Sequence, residues 1–509
     1  MGILKNIRKA NSNNTTRGFY FGAPEAEAEN NDGSCLTDYF EDYLDILQEL
    51  DHGRFIFCGR KGVGKSAIAK YIKDTSDKES ESFAKILKIN DFELEKFIQF
   101  SEKTGDKEKL IFEWLILVNI IKLIVSHNCG IYTKEYSKLN KFLNVNAGIV
   151  NIDCYQVTEM YKNTGGEVNF QVLKHVFGGI IKQYFQTKLD KAPFYKLILP
   201  LKQILKKILD YQVNKDLEFW LMFDDLDINF NVKNEHDNDK IMQLIRVTKD
   251  YNNDIFKNNK AKILIFLRDD IRNNLISKYP DSSKIFNSYE IMIEWYSQSY
   301  NAEQNEMQIP LRRLVNKRIA KNFEKNNIKY GTDPWNNLFE DGFEVYNYGH
   351  KKSFKYILDF TLYRPRDLIT ILNCISKENI NYPIGIDSTR HILAKYIEIN
   401  ITELKNELKL HFCETEIGYL FSDIFPFVKQ GSKKKMDLVN KIDTLNFCYD
   451  SEKVFEIIAT YSLICFKDSK GKLFFNYRDN KELNTIDIST LELTLPKCIY
   501  HYYNKLFDF

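Results

Sequence analysis

The sequence predicts an α/β protein organised on a parallel sheet, and three stretches carry that prediction. In the first, the apolar run Phe55-Ile56-Phe57-Cys58 leads into Gly59-Arg60-Lys61-Gly62-Val63-Gly64-Lys65-Ser66, and the helical pattern Ala67-Ile68-Ala69-Lys70-Tyr71-Ile72 follows. In the second, the run from Leu217 through Trp220 to Phe223 ends in Asp224-Asp225. In the third, Lys262-Ile263-Leu264-Ile265-Phe266-Leu267 ends in Arg268-Asp269-Asp270. Short unbroken apolar runs of this kind suit strands covered on both faces.

Strand, glycine-rich loop and helix, in that order, are what a phosphate-binding loop requires. Glycines let backbone N–H groups turn inward around an anion, and the helix that follows adds its positive end. The expected cradle is Gly59, Arg60, Lys61, Gly62, Val63, Gly64, Lys65, Ser66 and Ala67. Lys65 is expected to reach the β and γ phosphates, and the Ser66 hydroxyl to ligate Mg2+. The reading at this level is a site for ATP or GTP with magnesium.

At 509 residues, with 44% hydrophobic and 28% charged residues, the chain has the composition of a soluble globular protein of roughly three domains. A formal net charge of +2 gives no bulk argument for nucleic acid or an anionic membrane. The nine cysteines and eight histidines are scattered without zinc spacing, which predicts reduced thiols in a cytoplasmic protein. No secretory signal is visible. The most apolar run, Leu110 to Val125, is too short for a bilayer span and contains Glu113, Asn119 and Lys122, so it reads as a buried core helix.

Taken in order, residues 1–18 are small, polar and basic and read as a flexible N-terminus. Phe19-Tyr20-Phe21-Gly22-Ala23-Pro24-Glu25-Ala26-Glu27-Ala28-Glu29 then precedes a helical pattern from about Cys35 to Leu50. This segment is expected either to cover the base of a nucleotide or simply to cap the sheet. Residues 84–89 alternate as a second strand, and a mainly helical insertion occupies about 91–210. It separates Lys65 from Asp224 by 159 positions (224 − 65). Beside a phosphate loop, an acidic strand end has a defined use: Asp224 holds Mg2+ through water, and Asp225 orients the attacking water. His236 lies in a polar stretch, 231–239, and reads as solvated. Arg268, at the tip of the next strand, is placed to sense the γ-phosphate, with an ion pair to Asp269 or Asp270 as the bland alternative.

Along 311–321, Leu311, Leu314, Val315 and Ile319 form an apolar stripe that leaves Arg312, Arg313, Lys317 and Arg318 largely off it. These cations read as a solvated basic face or as a finger reaching a neighbouring subunit. Arg364-Pro365-Arg366 opens a further helix through Ile375, with proline at a favoured first position. Arg366 is the expected second phosphate sensor, with Arg364 as alternate. From 411, three helical patterns and a hairpin around Asp468-Ser469-Lys470-Gly471-Lys472 suggest a winged helix. Its 13 Lys+Arg against 14 Asp+Glu give a net −1 over 411–509. A basic face is lacking, apart from Lys433-Lys434-Lys435, so DNA contact through this domain is the weaker expectation and protein interaction the stronger.

Together, Gly59–Ser66, Asp224-Asp225, Arg268, Arg364-Pro365-Arg366 and the C-terminal domain resemble the STAND/AAA+ branch of P-loop ATPases. Phe21–Glu27 and the loop are most similar to bacterial ATPases found in antiphage defence loci beside a separate effector. The resemblance implies a P-loop core over 19–300 with the insertion, a helical lid over 301–410 and a winged-helix-like domain over 411–509. It implies ATP rather than GTP, Mg2+, homo-oligomerisation, and an effector protein or RNA-containing partner. The Asp-Asp pair is closer to STAND switches than to processive motors. On this reading the protein is an ATP-hydrolysing switch. A DNA-bound ATPase of origin-recognition or transposition-helper type, and a nucleotide-binding scaffold with negligible hydrolysis, are the rival expectations.

Overall fold

In the structure, a computed structural model, the residues described are 15–26, 28–29, 36–88, 107–126, 133–150, 167–186, 188–211, 216–226, 235–257, 261–296, 306–345, 349–483 and 485–504. Helix α1 (Ile46–Asp51) precedes strand β1 (Ile56–Gly59), and α2 (Lys65–Ser76) follows the glycine-rich loop. Strand β2 (Ser82–Lys88) leads to the insertion, which contains α3 (Lys107–Ser126), α4 (Thr133–Val145), β3 (Glu167–Asn169), α5 (Gln171–Tyr184), β4 (Lys191–Pro193) and α6 (Phe194–Leu209). The core resumes with β5 (Glu218–Asp224), α7 (Glu235–Asp250), β6 (Ala261–Arg268), α8 (Asp269–Lys278), α9 (Ser282–Tyr289) and β7 (Glu290–Met292).

The protein is α/β, with a five-stranded sheet in the order β2-β5-β6-β1-β7. Every neighbouring pair in it is parallel. The runs read as strands are buried on both faces: Phe219, Leu221, Met222 and Phe223 in β5 and Ile263 to Leu267 in β6 are at most 1% exposed. Register then sets the chemistry. Gly59 pairs with Arg268, and Lys88 with Asp224. Four strand ends therefore meet at the carboxyl edge of the sheet, where ligands of open α/β sheets bind.

Helix α3 is the apolar run 110–125. It packs on β5 and against α4, α6 and α7, and Trp114, Ile116, Leu117, Val118 and Ile120 are fully buried. No helix among the described residues is long and apolar enough to cross a membrane. The antiparallel pair β3–β4 within the insertion is not apparent in the sequence pattern, because each strand is three residues long and β4 ends in Pro193.

The expected helix from Cys35 to Leu50 is instead a short turn at Leu36–Asp38 and α1, joined by residues 39–45; Cys35 lies outside the described residues. The break has a local cause. Asp45 takes a left-handed conformation (φ +53°) at the N-cap of α1, and the Asp42 carboxylate accepts from the first helical N–H, Ile46, at 3.2 Å. His236 is not in a loop either. It lies in the first turn of α7 and faces Glu108 Oε1 at 3.1 Å; residues 231–234 lie outside the described residues.

The lid region comprises α10 (Pro310–Lys325), α11 (Pro334–Leu338), the hairpin β8 (Gly342–Val345) and β9 (Gly349–Lys352), α12 (Ser353–Leu358), α13 (Pro365–Glu378) and α14 (Ile386–Leu408). The C-terminal region has α15 (Glu414–Tyr419), which runs through a π turn into α16 (Phe425–Lys429), then α17 (Lys435–Asp443) and α18 (Ser451–Thr460). Strands β10 (Cys465–Lys467) and β11 (Leu473–Phe474), helix α19 (Asn476–Leu483), strand β12 (Glu492–Thr494) and α20 (Lys497–Asn504) complete it. Its sheet has three strands, β11-β10-β12. The expected hairpin is two of them, and the third comes from a segment with no marked apolar run.

Residues 1–14 of the expected flexible N-terminus lie outside the described residues, but the chain is held by Thr16. Its side chain accepts from Ile380 N and donates to Ile375 O, and the residue is fully buried.

Candidate functional site

The loop between β1 and α2 needs left-handed backbone. Gly62 has φ +82°, and a Cβ there would lie 3.3 Å from the Arg366 Cβ, so both conformation and space call for glycine. Gly64, with φ +101°, is the N-cap of α2. Lys65 and Ser66 thus occupy the first turn of a helix whose N-terminus faces the carboxyl edge of the sheet. The Lys65 ammonium donates to Gly59 O at 2.8 Å and to Arg60 O at 3.1 Å, folding back on its own loop.

Asp224 ends β5 buried, and the Ser66 hydroxyl lies near enough to its carboxylate to favour the ionised form. Burial, and then the charge of Asp225, push the Asp224 carboxyl up to about 6, against the opposing effects of Ser66 and Lys65. Asp225 leaves the strand with φ +55°, an uncommon conformation that aspartate tolerates better than most residues. It turns out of the sheet to meet Lys88 Nζ at 2.7 Å.

Loop, acids and lid enclose a cavity of about 190 Å³, more than ten times the ~10–15 Å³ that one water needs. It is lined by Lys61 to Ala67, Asp224, Asp225, Arg268 and Arg366, and also by Ala23, Pro24, Leu36, Tyr39, Tyr43 and Leu314, with the charged Glu29, Glu41, Asp42 and Arg318 among them. The segment upstream of β1 is therefore a wall of the cavity, which the sequence left open. Hard oxygen donors (the Ser66 hydroxyl and the Asp224 and Asp225 carboxylates) suit a magnesium ion that takes its remaining ligands from water and phosphate. Among the described residues there is no group of three or more His, Cys, Asp or Glu arranged to hold a metal unaided.

The arginines divide. Arg366 lines the cavity, and its backbone N–H lies 3.4 Å from Gly62 O. Its Nε is buried with no hydrogen-bond partner. Arg364 is fully buried and serves a different end. It pairs with Asp367 and Glu407 and donates to Lys61 O at 3.2 Å, pinning the loop backbone to the lid. Arg268 lines the cavity too, but its guanidinium is held from behind. Asp270 accepts from Nε and Nη2 at 3.1 and 2.6 Å, and Nη2 reaches the Tyr461 hydroxyl at 3.4 Å. The ion pair weighed from the sequence is thus present, though buried rather than at the surface.

Arg312 and Arg318 are not on a solvated face, whereas Arg313 and Lys317 stay 41% and 45% exposed, and all four are held in ion pairs. Arg312 is fully buried against Asp333, with Trp335 and Phe354 on its faces. Arg318 is buried against Glu29, and Arg313 and Lys317 both pair with Glu41. The apolar-stripe argument missed this because the partners of Arg313, Lys317 and Arg318 lie some 270 to 290 positions upstream, and that of Arg312 lies beyond the end of its helix.

Residues 310–385 match the FunZ-associated C-terminal helical domain. No curated protein matches the chain. The segment similar to that domain starts at α10 and includes Arg364 and Arg366, so this helical unit supplies two of the arginines that meet the loop.

Several participants carry no motif. Lys88 is simply the last residue of β2. Trp295 donates from Nε1 to Val63 O at 2.7 Å. From the C-terminal region, Tyr461 O accepts from Arg60 at 3.1 Å, and the Arg60 guanidinium lies 5.1 Å from the Tyr477 ring centre. Tyr461 Oη also donates to Asp270 at 2.7 Å and lies 3.0 Å from His411 Nε2. Of the basic cluster, Lys435 pairs with Glu452 and Lys433 lies over the Phe427 ring.

Proposed function

We propose that the protein is a magnesium-dependent ATP-binding and -hydrolysing switch, the regulatory ATPase subunit of a bacterial antiphage defence complex that controls a separate effector. The observation that carries the ATPase part is the meeting of Ser66 and Asp224 at the first turn of α2, with Lys65 beside them and Arg268 and Arg366 on the same cavity. The P-loop reading of the core, and the defence assignment, rest on the sequence resemblance of Phe21–Glu27 and Gly59–Ser66.

Magnesium ATP, when bound, supplies the electrophilic γ-phosphorus and the charge neutralisation around it. The chain supplies the rest. Ser66 and Asp224 offer oxygens for the metal, and deprotonated Asp224 is the form that serves. Loop N–H groups and Lys65, freed from Gly59 O and Arg60 O, hold phosphate oxygens. Asp225 orients water, for which its carboxylate must leave Lys88. Arg366 closes the phosphates from the lid. Arg268 changes partner between Asp270 and the cavity, and Tyr461 feels that change through Asp270. This link from strand tip to C-terminal region supports a switch more than a motor. It also weighs against DNA reading by the winged-helix-like region, since the end of α18 is already engaged at Arg60.

The test is ATP turnover by the full chain, with and without magnesium, alongside Lys65→Ala and Asp225→Asn. Magnesium-dependent turnover lost in both variants supports the reading. Binding without turnover in the wild type leaves only the scaffold, and no binding ends the proposal. Recovery of a stoichiometric protein or RNA partner from the host tests the regulatory role, and recovery of DNA alone counts against it.

A further inference from the structure

The base-side wall of the cavity is built as part of the lid. Thr15 forms an antiparallel bridge with Asn381, and Thr16 N donates to Ile380 O at 2.9 Å. The Phe19 ring packs on Phe323 and Tyr382. Tyr20 exchanges two hydrogen bonds with the Asn322 amide, at 2.6 and 2.7 Å. Phe21 O accepts from Arg318, and Gly22 O accepts from the Asn373 amide at 2.9 Å. Glu29 turns back to bind Arg318 at 2.6 Å and Ala23 N at 2.7 Å. Apart from the Glu29–Ala23 bond inside the strap, each of these links ends between residues 318 and 382, inside the segment similar to the FunZ-associated domain.

The fit is close at one point. Gly22 has φ +95°, and a Cβ on it would fall 1.9 Å from Arg318 Nη1 and 2.3 Å from Glu29 Oε1. The Arg318–Glu29 pair is 5% and 1% exposed. A buried, hydrogen-bonded ion pair loses several kcal/mol if one partner is withdrawn, so it does not part readily. Ala23, Pro24, Ala26 and Glu29 then line the same cavity as the loop.

We infer that residues 15–26, with 28–29, are a strap belonging to the lid, so that the wall facing the base opens and closes with the lid as one body, and a nucleotide leaves by parting strap and lid together from the sheet. This rests on the nucleotide reading of the cavity for its ligand, but not for the strap–lid unit. Glu29 and Arg318 act as positioning residues, not catalytic ones.

The test is hydrogen exchange on the full chain, read over 16–23 and over the lid helices, together with stopped-flow release of a fluorescent ATP analogue. The strap amides are expected to exchange at the rate of the lid amides, and both to slow together when the analogue binds. Asn373→Ala, which removes one bond, and Gly22→Ala, which prises the strap off Arg318, are expected to speed exchange in both segments. The analogue should then leave roughly tenfold faster, the effect of a lost hydrogen bond or two. Strap amides that exchange independently of the lid overturn the inference, as does an unchanged release rate in a Gly22→Ala chain whose strap has loosened. A wild-type chain that binds no analogue overturns the nucleotide reading alone, and the exchange comparison without ligand still decides whether strap and lid are one body.

Discussion

Asp224→Asn should make the free protein more stable while removing its response to magnesium ATP. Asp224 is 4% exposed, and its carboxyl is raised from an ordinary value near 4 to about 6, first by burial and then by Asp225. Two units correspond to about 3 kcal/mol in favour of the protonated form. The folded chain therefore holds this proton more tightly than the unfolded chain does. The group's contribution to stability is intact below about pH 4, declines as pH rises towards 6, and is lost above that. Asparagine keeps an acceptor for Ser66 and never ionises. The variant should gain up to about 3 kcal/mol at pH 8 and almost nothing at pH 4. For a unit of 150–250 residues this is roughly 2–4 °C per kcal/mol in thermal midpoint. The assay is thermal unfolding at both pH values, with and without magnesium ATP. In the wild type, ligand at a hundred times its Kd adds about 2.7 kcal/mol, and in the variant that increment should vanish. A variant less stable than wild type at pH 8 would refute the raised Asp224 carboxyl, and one that magnesium ATP still stabilises would refute its metal role.

Other expectations follow from the same contacts. Lys65→Ala should abolish ATP-induced stabilisation while shifting the ligand-free midpoint far less, since two of the bonds it removes are to the loop's own carbonyls; calorimetry with and without ATP checks this. Lys88→Met should free Asp225 and raise single-turnover hydrolysis by roughly fivefold, the effect of releasing a half-exposed ion pair of about 1 kcal/mol, and unchanged turnover would remove Lys88 from the reaction. Tyr461→Phe removes the hydroxyl shared by Asp270 and His411 and should cost about 1–2 kcal/mol. Hydrogen exchange in α18 and β10 should then lose its dependence on nucleotide, and retained dependence would exclude Tyr461 as the link.

What could be read from the sequence was local. The five parallel strands include three whose apolar runs end in candidate site residues, and the loop announces its conformation through glycines that backbone geometry demands. Asp224, Asp225, Arg268 and Arg366 were each placed at the end of a strand or the start of a helix, and those ends share one cavity. What could not be read was pairing across distance. Arg318 is one of four cations on a helix until Glu29 is known to face it, 289 positions away. Arg364 and Arg366 differ by two residues, and the sequence favours Arg366 as sensor while leaving Arg364 as the alternate. Only the fold separates them, because one side chain is buried against Asp367 and Glu407 while the other lines the cavity. Lys88 had no signal, since a lysine ending a strand is ordinary until register sets it beside Asp224.

The same distance-dependent pairing explains how so small a loop can govern a chain of this size. Successive loop residues are held by different parts of the molecule. Arg60 is held by Tyr461 and Tyr477 of the C-terminal region, and Lys61 O by Arg364 of the lid. Gly62 faces the Arg366 backbone, and Val63 O accepts from Trp295, just after β7. A carbonyl that turns by a fraction of an ångström must lengthen one of these bonds, and well-packed regions do not absorb such a change smoothly. On the proposed ATP site, phosphate on the loop and the seating of the C-terminal region on the Arg60 side chain are therefore coupled through one short segment. Coupling of that kind is reciprocal. A partner that pulls Tyr461 away from Arg60 should change nucleotide affinity by the same factor by which nucleotide changes the affinity for that partner.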